Sequence, residues 1–246
     1  MRPDSQSEFA DATIGRLIVR SVRRNFHALY VAGAENLTRL DPQRPLVGCT
    51  NHTNWWDGFV LYAFSQARMP DWEFHLAMDE KHLGGYFFFR WLGAFGMGLE
   101  SAADSVAGVR HAVRLLNRKS KQIAWIFVQG AMTPPLTPIV ARPGAVFISR
   151  HANAPLLPVV LRYEWRHESK PTILMSIGGP LPPETEPDVL AASMNTLFTN
   201  LNGAVADPAQ AGLEAVNPPR LSMNKRWDYM RHLATGRRGV FERDNR

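Results

Sequence analysis

Hydrophobic positions along this chain recur at two spacings, and the two spacings alternate from one segment to the next. From Phe9 to Tyr30, apolar residues return every three or four positions, which predicts an amphipathic helix. Short apolar runs closed by small or polar residues predict buried strands over residues 45–51, 74–78, 122–127, 156–163 and 172–177. Helical spacing returns over residues 57–67, 105–118, 145–152 and 189–201.

Strands that alternate with helices predict an α/β fold with a mixed, largely parallel sheet flanked by helices and an N-terminal amphipathic helix. The length of 246 residues suits one large domain with short appendages. We expect a basic helix in residues 1–30, an α/β domain in residues 31–203, and a basic, partly helical, loosely attached tail in residues 204–246. Residues 86–99 are the most apolar stretch. They are too short to span a bilayer, so they belong to the core or to a loop that dips into a membrane surface.

The net charge of +6 is concentrated at the two ends of the chain. Residues 1–30 hold five arginines against three acidic residues, and residues 222–246 hold seven basic against three acidic residues. Basic ends of this kind suit an anionic membrane surface or nucleic acid. The N-terminal helix also has two interpretations: an ordinary helix packed on the domain, or an interfacial helix with its apolar face in a bilayer.

Cysteine usage and the apolar runs favour a cytoplasmic protein. Cys49 is the single cysteine, so the chain has neither an internal disulfide nor a cysteine-cluster metal site. The first residues lack the charged-then-apolar order of a signal peptide, and no apolar run reaches the ~18 residues of a spanning helix. We therefore expect a reducing compartment.

Candidate chemistry lies in the turn after the first predicted strand. His52 and Asp57 are five positions apart in Asn-His-Thr-Asn-Trp-Trp-Asp, at the carboxyl end of a strand where open α/β sheets bind ligands. A histidine can take a proton from a hydroxyl, and a carboxylate on its other ring nitrogen fixes the tautomer. The chain has no G-x-S-x-G elbow, so the pair suits activation of an external hydroxyl. The alternative is an ordinary turn histidine followed by an aspartate at a helix N-terminus.

Four blocks in the same order resemble the glycerolipid acyltransferases, the PlsC-like 1-acylglycerol-3-phosphate acyltransferase family. His52 and Asp57 match the first, HxxxxD block of that family. The later blocks fall at residues 93–101, 127–132 with the basic-Gly-Ala step at 141–145, and 155–159. The first and fourth are good matches, whereas the second and third are degraded.

The resemblance implies transfer of a fatty acyl group from acyl-CoA or acyl carrier protein to a lipid hydroxyl, within lipid metabolism. His52 would be the general base and Asp57 its orienting partner, with oxyanion donors near Gly130 or after Thr53. No resident metal or cofactor is expected. The implied acyl-chain pocket and acceptor site are assigned as follows. Trp55, Trp56 and Phe88 would line the pocket, and Gln129, Gly130 and Arg142 would bind the acceptor.

Departures from the family pattern bear on the acceptor. Ala102 and Met132 stand where the family places two phosphate-contacting arginines, and Gln129 stands at its glutamate. Two lost charge-assisted hydrogen bonds of ~1.5–3 kcal/mol each predict an acceptor without a phosphomonoester, such as a glycolipid or a glycosylated carotenoid. In the alternative, a shifted arginine supplies the phosphate contact. The candidates are Arg90, Arg110 and Arg142.

The resemblance also bears on partners. A peripheral attachment to the cytoplasmic face of a membrane through the Phe9–Tyr30 helix is expected, with a possible role for an acyl carrier protein. Nucleic acid is not expected, because the basic residues are not interleaved with aromatics on a strand platform. Two other functions stay open: a non-catalytic lipid- or carrier-binding descendant of the family, and an acyl-thioester hydrolase that uses water as acceptor.

Overall fold

The computed structural model describes residues 11–85, 88–98, 101–166, 168–219 and 223–235. Within these residues, eight strands form one sheet. The strands are β1 (Leu29–Ala32), β2 (Leu46–Thr50), β3 (Glu73–Asp79), β4 (Ala94–Met97), β5 (Gln122–Phe127), β6 (Leu156–Glu164), β7 (Thr172–Ile177) and β8 (Glu214–Asn217). The α-helices are α1 (Arg16–Asn25), α2 (Asp57–Arg68), α3 (Glu80–Gly85), α4 (Phe88–Trp91), α5 (Ala102–Leu116), α6 (Gly144–Ala152), α7 (Pro187–Asn202) and α8 (Met223–Thr235). A π-helical turn, Asp11–Gly15, precedes α1, and a 3-10 helix, Ala34–Arg39, follows β1.

The strand order is β4-β3-β5-β2-β6-β7-β1-β8. The first five strands in this order are parallel, β7 is antiparallel to β6, β1 is parallel to β7, and β8 is antiparallel to β1. The end of β6 therefore lies beside the start of β7, the start of β1 and the end of β8. His52 and Asp57, the candidate catalytic dyad, follow β2 on the side of the sheet where β2, β5 and β6 end. We call this side, formed by strand ends and the loops that leave them, the dyad edge. The α/β fold with a mixed, mostly parallel sheet is as predicted.

Two apolar layers enclose the sheet, one on each face. Alternate residues of the central strands point to opposite faces, so Trp125 packs on the side of α1 and α2, and Ala124 packs on the side of α5, α6 and α7. Trp125 lies flat over Gly48 of β2, where a β-carbon would come within 2.3 Å of the indole. The indole nitrogen donates to Ser65 Oγ on α2 at 3.1 Å. This packing fixes α2, and with it the turn that precedes α2, on the sheet.

The N-terminal helix is shorter than predicted. α1 ends at Asn25, and Leu29–Ala32 is a strand, so the helix predicted through Tyr30 is wrong over its last residues. Leu29 and Tyr30 are buried on opposite faces of the sheet, which requires an extended backbone. Phe9 and the basic residue Arg2 lie outside the described residues.

The apolar stripe of α1 is covered by protein. Ile18, Val22 and Phe26 are buried in the layer that α1 shares with α2. Leu17 is 65% exposed, and so stands off that stripe. The packing is that of an ordinary surface helix, and contact of this segment with a membrane stays a proposal.

Two further segments differ from the sequence-based expectation. Of the apolar stretch 86–99, the described part forms α4 and β4, and Phe89, Leu92 and Phe95 are buried in the core. The tail 204–246 is not uniformly loose: Glu214–Asn217 pairs with β1 as the last strand of the sheet. α8 follows as an exposed helix, and the remaining predicted strands and helices are confirmed to within a few residues. Among the described residues, no helix has both the length and the hydropathy needed to cross a membrane.

Candidate active site

The turn between β2 and α2 is anchored to the neighbouring strand by Asn51. The Asn51 amide donates to the carbonyl oxygen of Leu161 at 2.9 Å and accepts from the Leu161 N–H at 2.8 Å. A side chain thus continues the β2–β6 pairing for one step after the backbone of β2 has turned away. This pairing fixes the position of the next residue, His52, relative to β6 at the dyad edge.

His52 and Asp57 meet as their spacing predicts. His52 Nδ1 lies 2.8 Å from Asp57 Oδ2, with the carboxylate fully buried and the imidazole about one-fifth exposed. The imidazole stacks on the Phe127 ring, with centroids 4.0 Å apart. Nε2 has no hydrogen-bond partner among the described residues, so this nitrogen is open to a bound molecule. The geometry is that of a histidine whose free nitrogen can exchange a proton at the surface of the sheet edge.

The Asp57 carboxylate accepts hydrogen bonds on both oxygens. The backbone N–H groups of Thr53 and Asn54 donate to Oδ2 at 2.8 and 2.9 Å. The Tyr163 hydroxyl donates to Oδ1 at 2.5 Å. Since Asp57 also begins α2, its negative charge lies at the positive end of the helix dipole. The buried carboxylate is therefore fully satisfied and fixed in orientation.

Tyr163 is the site residue that sequence reasoning missed. It is 106 positions from Asp57, and only the β2–β6 pairing brings the two together. Burial, and then the nearby Asp57 carboxylate, raise the pKa of Tyr163 well above its usual value, so the hydroxyl keeps its proton and donates. The only sequence signal was its place at the end of the strand predicted over residues 156–163, and the sequence did not show that this strand lies beside β2.

The loop after β5 closes against the dyad turn through Gln129. The His52 N–H donates to Gln129 Oε1 at 3.1 Å, and Gln129 Nε2 donates to Thr133 Oγ1 at 2.9 Å. The Thr133 N–H donates to the His52 carbonyl oxygen at 2.8 Å. Both ends of the buried Gln129 amide are used within the protein. The structure thus shows Gln129 positioning His52, and its contact with an acceptor stays a prediction.

Gly130 and Arg142 are brought together at the same loop. Gly130 has a φ of +69°, a left-handed conformation that favours glycine. A β-carbon there would lie 3.0 Å from Arg142 Cδ, so the arginine side chain crosses directly over the glycine. The Arg142 guanidinium is exposed and forms no hydrogen bond or ion pair with any described residue. Arg90, by contrast, is paired with Glu80 at 2.7 Å.

Two of the predicted acyl-chain residues, Trp55 and Trp56, belong to an aromatic cluster with Phe59 and Phe89. Trp55 is 54% exposed, with its ring centroid 4.6 Å from that of Phe59, and Phe59 contacts Phe89 at 5.2 Å. Trp56 is partly buried and packs edge-on against Phe26 at 5.3 Å. The side chain of Phe88 lies outside the described residues. Behind the cluster, apolar side chains line a cavity of about 10 Å³. The lining residues are Ile18, Gly58, Tyr62, Phe74, Leu76, Phe89, Leu92 and Ala94.

Three backbone N–H groups in the turns expected to serve an oxyanion are bonded within the protein. Thr53 N–H and Asn54 N–H donate to Asp57, and Gly130 N–H donates to the Phe127 carbonyl oxygen at 3.0 Å. The turns use these three groups to hold their own shape, and the expectation of oxyanion donors near Gly130 or after Thr53 stays a prediction. In the same loop, the N–H groups of Ala131 and Met132 donate to no described acceptor.

Comparisons with known proteins bear on the fold and the family of this chain. The chain adopts the fold of the 1-acyl-sn-glycerophosphate (LPA) acyltransferase PlsC from Thermotoga maritima. That structure matches with a TM-score of 0.56 and 17% identity, covering 82% of this chain and 83% of the other. A search of curated proteins found no match. The family model described as Acyltransferase matches residues 28–162, which include β1, the dyad turn, the β5 loop and most of β6. This chain belongs to the Acyltransferase family.

Proposed function

We propose that the protein transfers a fatty acyl group from an acyl thioester, acyl-CoA or acyl carrier protein, to the hydroxyl of a lipid. The observation that supports this most directly is the 2.8 Å contact between His52 Nδ1 and the buried Asp57, with Nε2 left open at the dyad edge. A histidine held by a carboxylate on one nitrogen suits general-base catalysis on the other.

In the proposed reaction, His52 takes one proton from the acceptor and later gives it to the leaving thiolate. His52 Nε2 takes the proton of the acceptor hydroxyl while the hydroxyl oxygen bonds to the thioester carbonyl carbon. This addition gives a tetrahedral oxyanion. The C–S bond then breaks, and the thiolate leaves with the proton that Nε2 returns. Asp57 stabilises the imidazolium formed in between and stays ionised throughout. The N–H groups of Ala131 and Met132, which bond to no described acceptor, are the candidate oxyanion donors.

The acyl chain is proposed to lie along the aromatic cluster that begins at Trp55. Trp55, Trp56 and Phe59 present ring faces next to the dyad, and Phe89 continues them toward the small apolar cavity. An apolar wall of this kind binds methylene groups and keeps water from the thioester, which favours transfer over hydrolysis.

The acceptor is proposed to lack a phosphomonoester, because Met132 is the exposed residue at the position where the family places an arginine. A second acceptor class has an observation in its favour. The Arg142 guanidinium crosses Gly130 beside the dyad without a partner among the described residues, and could bind a phosphate. Lysophosphatidic acid and a neutral glycolipid, compared at equal concentration, separate the two classes. Faster transfer to lysophosphatidic acid, lost in Arg142→Gln, would contradict the neutral acceptor.

The test of the proposed activity is thiol release from palmitoyl-CoA with and without a panel of lipid acceptors. We expect release that needs an acceptor and falls at least about 100-fold in His52→Ala and in Asp57→Asn, because removal of a general base costs 10²–10⁴-fold. The matched control is His151→Ala, an exposed histidine at the end of α6, which should keep the wild-type rate.

The same assay discriminates the other two functions. Release that proceeds equally without any acceptor would make the protein a thioester hydrolase. No release from either CoA or carrier-protein donors, with lipid binding intact, would make it a non-catalytic binding protein. Attachment to the cytoplasmic face of a membrane is proposed with the activity, since the acceptor is an amphiphile.

A further inference from the structure

We propose that the dyad edge is a membrane-docking face, which seats on an anionic bilayer through exposed tryptophan and leucine side chains surrounded by arginines. The inference rests on the proposed function, because a docked dyad edge would receive its lipid acceptor directly from the bilayer. It differs from docking through the apolar stripe of α1, which the structure shows packed against α2.

Three loops at the dyad edge each expose a large apolar side chain. Trp55 on the β2–α2 turn is 54% exposed, Leu136 on the β5–α6 loop is 63% exposed, and Trp165 just after β6 is 72% exposed. Strands β5, β2 and β6 are neighbours in the sheet, so the three loops begin side by side at the strand ends next to His52. Exposed apolar groups that cluster around a site indicate an interaction surface, and tryptophan favours the membrane interface.

The backbone of Leu136 is itself unusual. Its φ is +68°, the left-handed region that bulky residues seldom adopt, and the segment reads Pro134-Pro135-Leu136-Thr137-Pro138. A leucine in this conformation is strained, and such strain is concentrated at functional sites. The described part of the chain does not bury this side chain in return. The proline-rich segment thus presents an apolar side chain to solvent, which suits contact with an apolar surface.

The charges beside these side chains favour an anionic surface. Arg23 and Arg24, at the end of α1, and Arg142, over Gly130, are all exposed at this edge. The acidic residues of the adjacent β6–β7 region are engaged elsewhere: Glu164 with Arg162, and Glu168 at 3.9 Å from His27. Each basic residue near an anionic bilayer strengthens the attraction to it.

A second amphipathic element leaves the sheet at the same edge. β8 ends at Asn217, which pairs with Leu29 at the start of β1, and the chain then continues into α8. Trp227, Met230 and Leu233 of α8 recur at three-residue steps and are each more than half exposed. Their common face, with Arg231 beside it in sequence, suits a helix that lies in the plane of a bilayer surface.

The experiment places a polarity-sensitive fluorophore on the dyad edge of the full chain. Cys49 is buried, and burial raises the pKa of its thiol, so it does not compete for the label. Trp165→Cys carries the label at the proposed face. Trp91→Cys is the matched control: Trp91 is 48% exposed, and nearby Gly93 packs against Phe74 close to the start of β3, away from the dyad edge.

The labelled proteins are mixed with vesicles of phosphatidylcholine alone or with phosphatidylglycerol added. We expect a blue shift and an intensity increase at position 165, and not at position 91, that need phosphatidylglycerol and weaken with salt. An equal response at the two positions, or none at position 165 with protein that sediments with the vesicles, would overturn the proposal.

Leu136→Asn tests the strained leucine without risk to the fold. Asparagine tolerates the left-handed conformation, so this variant should be at least as stable as wild type. Loss of one partly inserted leucine should weaken partitioning to the anionic vesicles about fivefold. Val189→Asn is the control: it removes a similarly exposed apolar side chain on α7, which begins at the opposite edge of the sheet. Equal partitioning of Leu136→Asn and wild type would contradict the docking face.

Vesicle binding tests the docking face and thiol release tests the transferase, so either proposal can be rejected without the other. Binding through position 165 without thiol release would leave the docking face standing and reject the transferase. Thiol release with a detergent-dispersed acceptor, but no response of the label to vesicles, would keep the transferase and reject the docking face.

Discussion

The hydroxyl of Tyr163 completes the hydrogen bonding of the Asp57 carboxylate, and we predict that it positions the dyad. Tyr163→Phe removes the one donor to Oδ1 while keeping the ring that packs on Phe26. A buried carboxylate oxygen left without a donor costs about 1–3 kcal/mol, and Asp57 is then less firmly held against His52. We expect thiol release to fall about tenfold.

The readout that separates positioning from a structural role is the pH dependence of kcat/KM. A carboxylate that has lost a hydrogen bond attracts the imidazole proton more strongly, so the acid limb of the profile should move to higher pH in Tyr163→Phe. Tyr229→Phe, which removes an exposed hydroxyl on α8, should leave both rate and profile unchanged. An unchanged profile in Tyr163→Phe would make the residue a packing residue only.

His75 should make the folded protein sensitive to mild acid. It is fully buried, with Nε2 2.8 Å from Gln122 Oε1, and burial lowers its pKa against the weaker opposing effects of the Gln122 hydrogen bond and of Glu73. Below its unfolded pKa of about 6.5, the unfolded chain takes up a proton that folded His75 refuses. The free energy of unfolding should therefore fall as pH decreases, by up to about 1.4 kcal/mol per pH unit.

Urea unfolding at pH 7.5 and 5.5 checks this prediction. His75→Gln keeps a donor toward Gln122 and removes the titrating group, so its loss of stability between the two pH values should be smaller. The remaining histidines are common to both proteins and cancel in the comparison. A wild type and a His75→Gln variant with the same pH dependence would show that His75 does not titrate in this range.

At the scale of one element, the β5–α6 loop depends on its glycine. Gly130→Ala places a side chain in the left-handed region and within 3.0 Å of Arg142 Cδ. We expect a loss of about 1 kcal/mol in stability and a displaced Arg142, with weaker acceptor binding seen as a raised KM. Gly144→Ala is the control, because nothing lies within 4 Å of its β-carbon and it begins a helix. Its KM should equal that of wild type.

Strands with a clear run of apolar residues could be predicted from the sequence. Strands whose extended conformation depends on pairing with a neighbouring strand could not. β5 and β7 were predicted because each is a continuous apolar run, buried on both faces. β1 continues the helical spacing of α1, so its apolar residues were assigned to a longer helix. β4 is short and contains Gly96, and its extended conformation depends on pairing with β3.

The candidate site divides in the same way. His52 and Asp57 lie five residues apart on one turn, so their contact could be predicted from spacing and family resemblance. The partner of Asp57 on β6 could not, because the strand order that places β6 beside β2 is a property of the whole sheet. The amide of Gln129 illustrates the same limit. Its residue type led to the prediction of an acceptor contact, which stays a prediction, and the sequence did not show that Gln129 also holds the His52 backbone.

At the scale of the whole molecule, the segment after residue 203 has two parts with different roles. Truncation after Gly212 removes β8 and leaves β1 as an open edge strand, which should lower Tm by more than about 4 °C and promote aggregation. Truncation after Pro219 keeps β8 and removes α8, whose described side chains are exposed. The truncation after Pro219 should change Tm by less than about 2 °C and weaken binding to anionic vesicles.

Differential scanning calorimetry and vesicle sedimentation on the two truncations check both statements. Equal Tm values for the two proteins would contradict the structural role of β8. Undiminished vesicle binding after loss of α8 would limit the docking face to the loops around His52.

The strand order has a consequence for how the chain folds during synthesis. β1 pairs with β7 and β8, whose residues leave the ribosome long after Leu29 does. At 5–20 residues per second, β1 waits roughly 10–30 s for its first partner strand. During that interval β2, β3, β4 and β5 can already assemble, because they pair among themselves. The first strand to be made is thus among the last to be paired, and the nascent protein exposes an apolar strand that chaperones can bind before folding is complete.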